Sequence, residues 1–343
     1  MKKKVKFGVF AVLHVDIMHD GEERMEAFTE ACRHENVDFV IELGDFCYPD
    51  VKKCICAPDK RPINIENALR YDTFVDKEKI VSLFRDFEKP SYHVIGNHDC
   101  DMCTKEELLG NYGVEYGPYY SFDMGGFHFI VLDPNYYIID GICHSFENGN
   151  YFDESYHPER VLPILPPEQV SWLREDLEKT KFPSILFSHQ GLSGKMPSDI
   201  LNAEEVKKIL KAAPYGVVAS FNGHTHIDYK EYVDGIWYIA VNSMSNQWLD
   251  MDFICEERYT KEIDEKFPNI KYTVPYKDSI FAIVTLDENG IDIKGTKSEF
   301  VGITPEEQGL YKPGTWWQRA YQGRVLSTPN IEDCYLATKC GKK

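Results

Sequence analysis

Five apolar runs in this chain stop on side chains that can bind a metal ion or move a proton, and that pattern constrains the fold more than any other feature. The runs at 5–13, 37–43, 92–95, 184–188 and 216–221 lead into His14, Gly44-Asp45, Gly96-Asn97-His98-Asp99, His189 and Gly223-His224-Thr225-His226. Each run reads as a buried strand. In open α/β sheets ligand sites collect beyond the carboxyl ends of strands, so such a fold gathers these residues in one place. One histidine alone reads as a satisfied core or surface residue. Five strand ends, three with Gly just before the polar group, do not.

The connecting segments fit an alternating α/β chain. Amphipathic spacing predicts helices over 22–35, 76–87, 105–109, 166–180 and 203–212. Hairpins are expected over 119–133, turning at Gly125-Gly126, and between 229–233 and 235–243, with a further turn at 287–290. Two inserts, 49–75 and 134–165, read as irregular; the second is rich in aromatic residues. One domain over 1–300, with 301–343 as an extension packed on it, is the simplest organisation.

The 343 residues, 43% of them hydrophobic, can fill a sizeable core. Against 38 Lys plus Arg stand 56 Asp plus Glu, a net charge of −18. That sign excludes a broad grip on a nucleic-acid polymer or an anionic membrane, and a phosphate-bearing partner then needs a local positive focus such as a bound metal. Residues 1–13 resemble the start of a signal peptide, but the apolar run is short, lacks a small-residue cleavage site and leads into His14. The expected location is the cytoplasm. The ten cysteines read as reduced thiols, because Cys54-x-Cys56 and Cys100-x-x-Cys103 lack the second pair of a zinc site.

Imidazole and carboxylate ligands without a thiolate set suit manganese, zinc or iron. Asp45 has two oxygens and can bridge a metal pair, Asn97 adds an oxygen without charge, and Asp99 can orient the His98 imidazole. Tyr136, Tyr137 and His144 of the second insert are candidate walls of a substrate pocket.

Together these motifs resemble the calcineurin-like metallophosphoesterases over residues 5–245. The resemblance implies an α/β (α+β) fold, a four-layer αββα sandwich of two mixed β-sheets flanked by helices, with two divalent metal ions at one edge. Asp45 would bridge; Asn97, His189 and His224 would complete one site; His14 and His226 would belong to the other; His98 and Asp99 would serve the phosphate and leaving group. The implied enzyme is a phosphoester hydrolase, acting on small phosphomonoesters or phosphodiesters by in-line attack of a metal-bound hydroxide.

One residue departs from the pattern. The family's first motif is Asp-x-His, and the matching residues here are Val12-Leu13-His14. A valine cannot bind metal, so the site of His14 and His226 is expected to be weak or empty and activity to be impaired. A protein that keeps the fold and binds without turnover is the alternative. Asp16 and His19 lie just beyond and are candidate replacements for the missing ligand. Tyr48, which completes Gly44-Asp45-x-x-Tyr48, resembles the purple acid phosphatase branch and is read as a packing or pocket residue.

Overall fold

The computed structural model of the chain describes residues 3–46, 77–101, 103–152, 161–196, 199–249, 253–255, 258–315 and 328–338. The insert at 49–75 and Tyr48 lie outside them. Chain order begins β1 (Lys4–Phe10), α1 (Gly21–Glu35), β2 (Phe39–Glu42), α2 (Lys77–Arg85), β3 (Ser91–His93) and α3 (Lys105–Tyr112). It continues with hairpins β4 (Tyr120–Met124) to β5 (Phe127–Val131) and β6 (Tyr136–Ile139) to β7 (Ile142–Ser145), then α4 (Pro167–Lys179), β8 (Ser184–Ser188), α5 (Ala203–Ala212) and β9 (Val217–Asn222). The last part holds β10 (Tyr229–Val233), β11 (Ile236–Ala240), β12 (Asn246–Trp248), α6 (Lys261–Lys266), β13 (Thr273–Pro275), β14 (Ala282–Asp287), β15 (Gly290–Gly295), α7 (Pro305–Gln308) and β16 (Cys334–Ala337).

Two mixed six-stranded sheets result, ordered β16-β15-β14-β1-β2-β3 and β10-β11-β9-β8-β5-β4. β1, β2 and β3 run parallel, as do β5, β8, β9 and β11, which explains their unbroken apolar sequences. The sheets face each other across a layer built from Phe7, Phe39, Phe129, Phe187 and Phe221. Phe7 stacks on Phe39 at 4.9 Å and meets Phe187 edge-on at 5.7 Å, so the rings interlock rather than slide. The outer face of the first sheet, with Phe10 and Val40, is covered by Met25 and Phe28 of α1 and by Ile80 and Phe84 of α2. Leu173 of α4 and Val206 of α5 cover Ile130 and Leu186 of the second. This is the expected four-layer sandwich.

Three expectations need correction. β1 ends at Phe10 rather than running on to His14, because Val12 and His14 adopt left-handed backbone (φ +54° and +51°) that no strand can hold. The second insert is not wholly irregular: β6 and β7 pair around Asp140-Gly141. The C-terminal stretch, expected as an extension packed on the domain, contributes β16, which pairs with β15 as the outer strand of the first sheet.

A charge cluster centred on the buried His128 fastens α4 to the second sheet. His128 on β5 bonds Asp123 Oδ1 at 2.6 Å and Asp176 Oδ2 at 2.8 Å. Burial alone would lower its pKa, but the two carboxylates raise it above the ordinary 6.5. A folded-state value raised above the unfolded one gives stability that is complete below about pH 6.5 and fades as pH rises through the raised value. His128→Phe should therefore cost about 1.5–3 kcal/mol at pH 6 and less at pH 9 in urea unfolding. Equal losses at both pH values would refute the charged pairing.

Candidate metal centre

The loops after β2 and β3 lie side by side, tied by Asp99. Its Oδ2 accepts from the backbone N–H of Asp45 and of Gly96, each at 2.9 Å, and its Oδ1 accepts from Phe46 N–H (3.0 Å) and the Tyr112 hydroxyl (3.2 Å). Burial and the nearby Asp45 and Glu42 charges push the Asp99 pKa up, and these donors oppose that shift. Asp99 thus clamps two loops and does not orient His98 as the sequence suggested. Asp101 takes that place, with Oδ2 at 3.0 Å from His98 Nδ1. Tyr151 braces the pair, donating to Asp101 Oδ1 (2.5 Å) and accepting from Asn97 Nδ2 (3.3 Å).

Asp45 is the centre of the cluster. Its Oδ1 accepts from His98 N–H at 2.8 Å, while its Oδ2 lies 3.0 Å from His189 Nε2 and 3.9 Å from His14 Nε2. His224 Nδ1 stands 3.2 Å from His189 Nε2, and ligand atoms of Asp45, His189 and His224 all fall within 4.8 Å of one another. Gln190, next to His189 in the chain, has Nε2 3.5 Å from Asn97 Oδ1. His14 and His226 stack at 5.9 Å. His189 Nδ1 donates to Leu43 O (2.6 Å) and His226 Nδ1 to Asn246 O (2.7 Å), so in the neutral form of each ring the lone pair lies on Nε2.

The donor set fits a divalent ion. Atoms that share one ion at about 2.0–2.2 Å each lie roughly 3.0–3.5 Å apart, the spacing found from Asp45 to His189 and from His189 to His224. Charge points the same way. Burial would raise the Asp45 carboxyl, yet His189, His98 and His14 hold it well below the usual range. In return, and against burial, Asp101 and Asp45 lift His98 to about 10 and Asp45 raises His189. Burial and then His14 lower His226 to about 3, leaving a neutral ring. Asp45 is thus a buried negative centre that draws in positive charge.

Backbone strain collects here too. Val12, His14, Asp45, His224 and His226 all have φ between +50° and +64°; the other described non-glycine residues with positive φ are Asn or Asp. Such conformations cost about 1–3 kcal/mol each and cluster at ligand sites. The surroundings impose them at Val12, whose N–H donates to Gly44 O (3.0 Å) and whose carbonyl accepts from Ser243 Oγ (2.8 Å). Arg24 of α1 holds that neighbouring loop through Met244 O and Tyr276 O.

The aromatic residues assigned to a substrate pocket serve other contacts. Tyr136 lies under the Lys105 ammonium at 3.6 Å, and Tyr137, buried in the core, stacks on His144 across the hairpin at 5.1 Å. His19 packs on Tyr259 at 4.5 Å. The ring beside the site histidines is Trp248 of β12, 5.8 Å from His14, 6.2 Å from His98 and 6.3 Å from His226. It also packs against the cluster of Ile17, Met18, Phe267 and Ile270. Sequence reading missed Trp248 because nothing local marks it. Asp101 did carry a signal, its i+3 spacing from His98 on one helical turn.

Solved structures that share the fold include the following two. A dimetal phosphatase from Danio rerio aligns with a TM-score of 0.57 at 15% identity, covering 89% of this chain and 100% of that one. PhoD aligns with a TM-score of 0.50 at 14% identity, covering 87% of this chain and 67% of that one. No curated protein sequence matches. The model of the calcineurin-like phosphoesterase family matches residues 11–228, a stretch that begins beside Val12 and ends just past His226. All the residues gathered around Asp45 lie inside it, and the chain belongs to that family.

Proposed function

We propose that the protein hydrolyses small phosphate esters with divalent ions held by Asp45, Asn97, His189 and His224 at one position and by Asp45, His14 and His226 at the other. The convergence of Asp45, His189 and His224 carries the reading. Bound there, manganese, zinc or iron would supply Lewis acidity and an activated water. The chain's own residues do the rest. Asp45 would balance the ions, Asn97 would add a neutral oxygen, and His98, held at Nδ1 by Asp101, would protonate the departing oxygen. Asp99 contributes by holding the loops of Asp45 and Asn97 together.

Turnover of nitrophenyl phosphate and bis-nitrophenyl phosphate with added Mn²⁺, Zn²⁺ or Fe²⁺, abolished by chelation, is the expected result. Metal binding with no turnover of either ester would favour the second reading, a binding protein, which Val12 motivates. Trp248 makes a platform for an aryl or nucleoside leaving group. Since aromatic stacking is worth about 0.5–1.5 kcal/mol, Trp248→Ala should raise KM for aryl phosphates by about 2–10-fold. An equal rise for a short alkyl phosphate would remove the platform role.

No helix among the described residues is long and apolar enough to cross a membrane.

A further inference from the structure

Asp16 is a buried acidic residue outside the proposed ligand set. It is 2% exposed, and neither carboxylate oxygen has a hydrogen-bond partner among the described residues. An uncompensated buried carboxylate costs several kcal/mol. Its surroundings are specific: Asp16 Oδ1 lies 3.5 Å from His14 Nδ1, on the ring edge away from Nε2, which faces Asp45. A tight turn, closed by Ile17 N–H and Met18 N–H on His14 O, keeps Asp16 there, and both apolar residues are anchored beneath Phe267 and Ile270.

The other inward histidines show what this arrangement is for. His189 and His226 each turn Nδ1 to a backbone carbonyl and keep Nε2 for the metal side. His14 has the same orientation, but its Nδ1 faces a carboxylate. At 3.5 Å the two are not hydrogen-bonded, but a carboxylate charge beside Nδ1 favours the tautomer with its proton there, and a carboxylate partner makes an imidazole a stronger Nε2 ligand. His14 belongs to the half of the site where Val12 has replaced the family's acid.

We propose that Asp16 is a positioning residue that supplies, through His14, the negative charge that Val12 removes from this half of the metal centre. The assignment rests on the metal-dependent reading above. Asp16 does not become a ligand, because the His14 ring stands between it and Asp45.

The test is calorimetric titration of the metal-free full chain with Mn²⁺, alongside thermal unfolding. The wild type should show a tight and a weak step. In Asp16→Asn and Asp16→Leu the weak step should loosen by about 10–100-fold, the usual cost of losing such a partner, while the tight step stays. The metal-free melting temperature should hold or rise, because the orphaned charge has gone; a merely structural role would lower it. Adding Val12→Asp to Asp16→Asn should restore the weak step. A tight step with a weak step indifferent to both Asp16 variants, or a wild type that takes up one ion only, overturns the assignment alone. A wild type that binds no ion overturns it together with the metal-dependent reading.

Discussion

Val12→Asp should convert the weaker half of the centre into a strong one. The expected gain in Mn²⁺ affinity is at least the roughly 10–100-fold attached to an outer-sphere partner, since a direct ligand is being returned. Phosphoesterase turnover should rise with it. Two opposing terms act on the metal-free protein. Aspartate tolerates left-handed backbone better than a β-branched residue, so part of the strain of about 1–3 kcal/mol at φ +54° is relieved. Against that, Val12 is fully buried within the inter-sheet core, and an unpaired carboxylate there costs about 3–5 kcal/mol. The cost wins, so the metal-free variant should unfold earlier than the wild type. With metal the order should reverse, because an ion at 100 times its dissociation constant adds about 2.7 kcal/mol. Melting curves with and without Mn²⁺, together with a binding titration, check both signs. A variant with unchanged affinity and turnover would show that Val12 is not what limits this site.

The contrast between Val12 and Asp16 also shows where sequence reading stops. Strand ends were legible because parallel strands buried on both faces give unbroken apolar runs, and the residues just after such a run sit at the sheet's edge. β8 and α5 fall where spacing put them; Asp45, His189 and His224 lie together, and His14 Nε2 is 3.9 Å from Asp45 Oδ2. Contacts made by side-chain direction were not legible. Whether Asp99 or Asp101 meets His98 depends on the turn at His98–Cys100, which sends Asp99 inward to backbone N–H groups. Trp248 reaches the site from a short strand paired, among the described residues, with β13 alone. The β6–β7 hairpin is easily overlooked although Asp140-Gly141 between apolar residues is a standard turn signal; the aromatic content of that stretch favours reading it as a pocket wall.

Gly96→Ala should damage both halves of the centre at once, and Gly110→Ala provides its control. Neither glycine has positive φ, so the space around Cβ decides the outcome. At Gly110, within α3, an added methyl meets nothing within 4 Å, and the change should stabilise by about 0.5–1 kcal/mol as Gly to Ala does in helices. At Gly96 the methyl would overlap the backbone nitrogen and Oδ1 of Asp45. Neither atom is free to give way. The nitrogen donates to Asp99, and Oδ1 accepts from His98 N–H. Gly44, at φ +87°, has no room on its own side, where a methyl would come 2.5 Å from His189 Nδ1. Relief therefore has to come from pushing the β2 and β3 loops apart, which breaks the Asp99 clamp and carries Asp45 away from His189 and His14. Overpacking alone costs about 1–3 kcal/mol. Each buried group left unpaired adds about 1–3 kcal/mol more. Denaturant midpoints should fall by an amount equivalent to about 3 kcal/mol or more for Gly96→Ala, and both Mn²⁺ steps should weaken, since Asp45 serves both. If Gly96→Ala lost stability but kept both steps, the close approach of these two loops would not be what sets the position of Asp45.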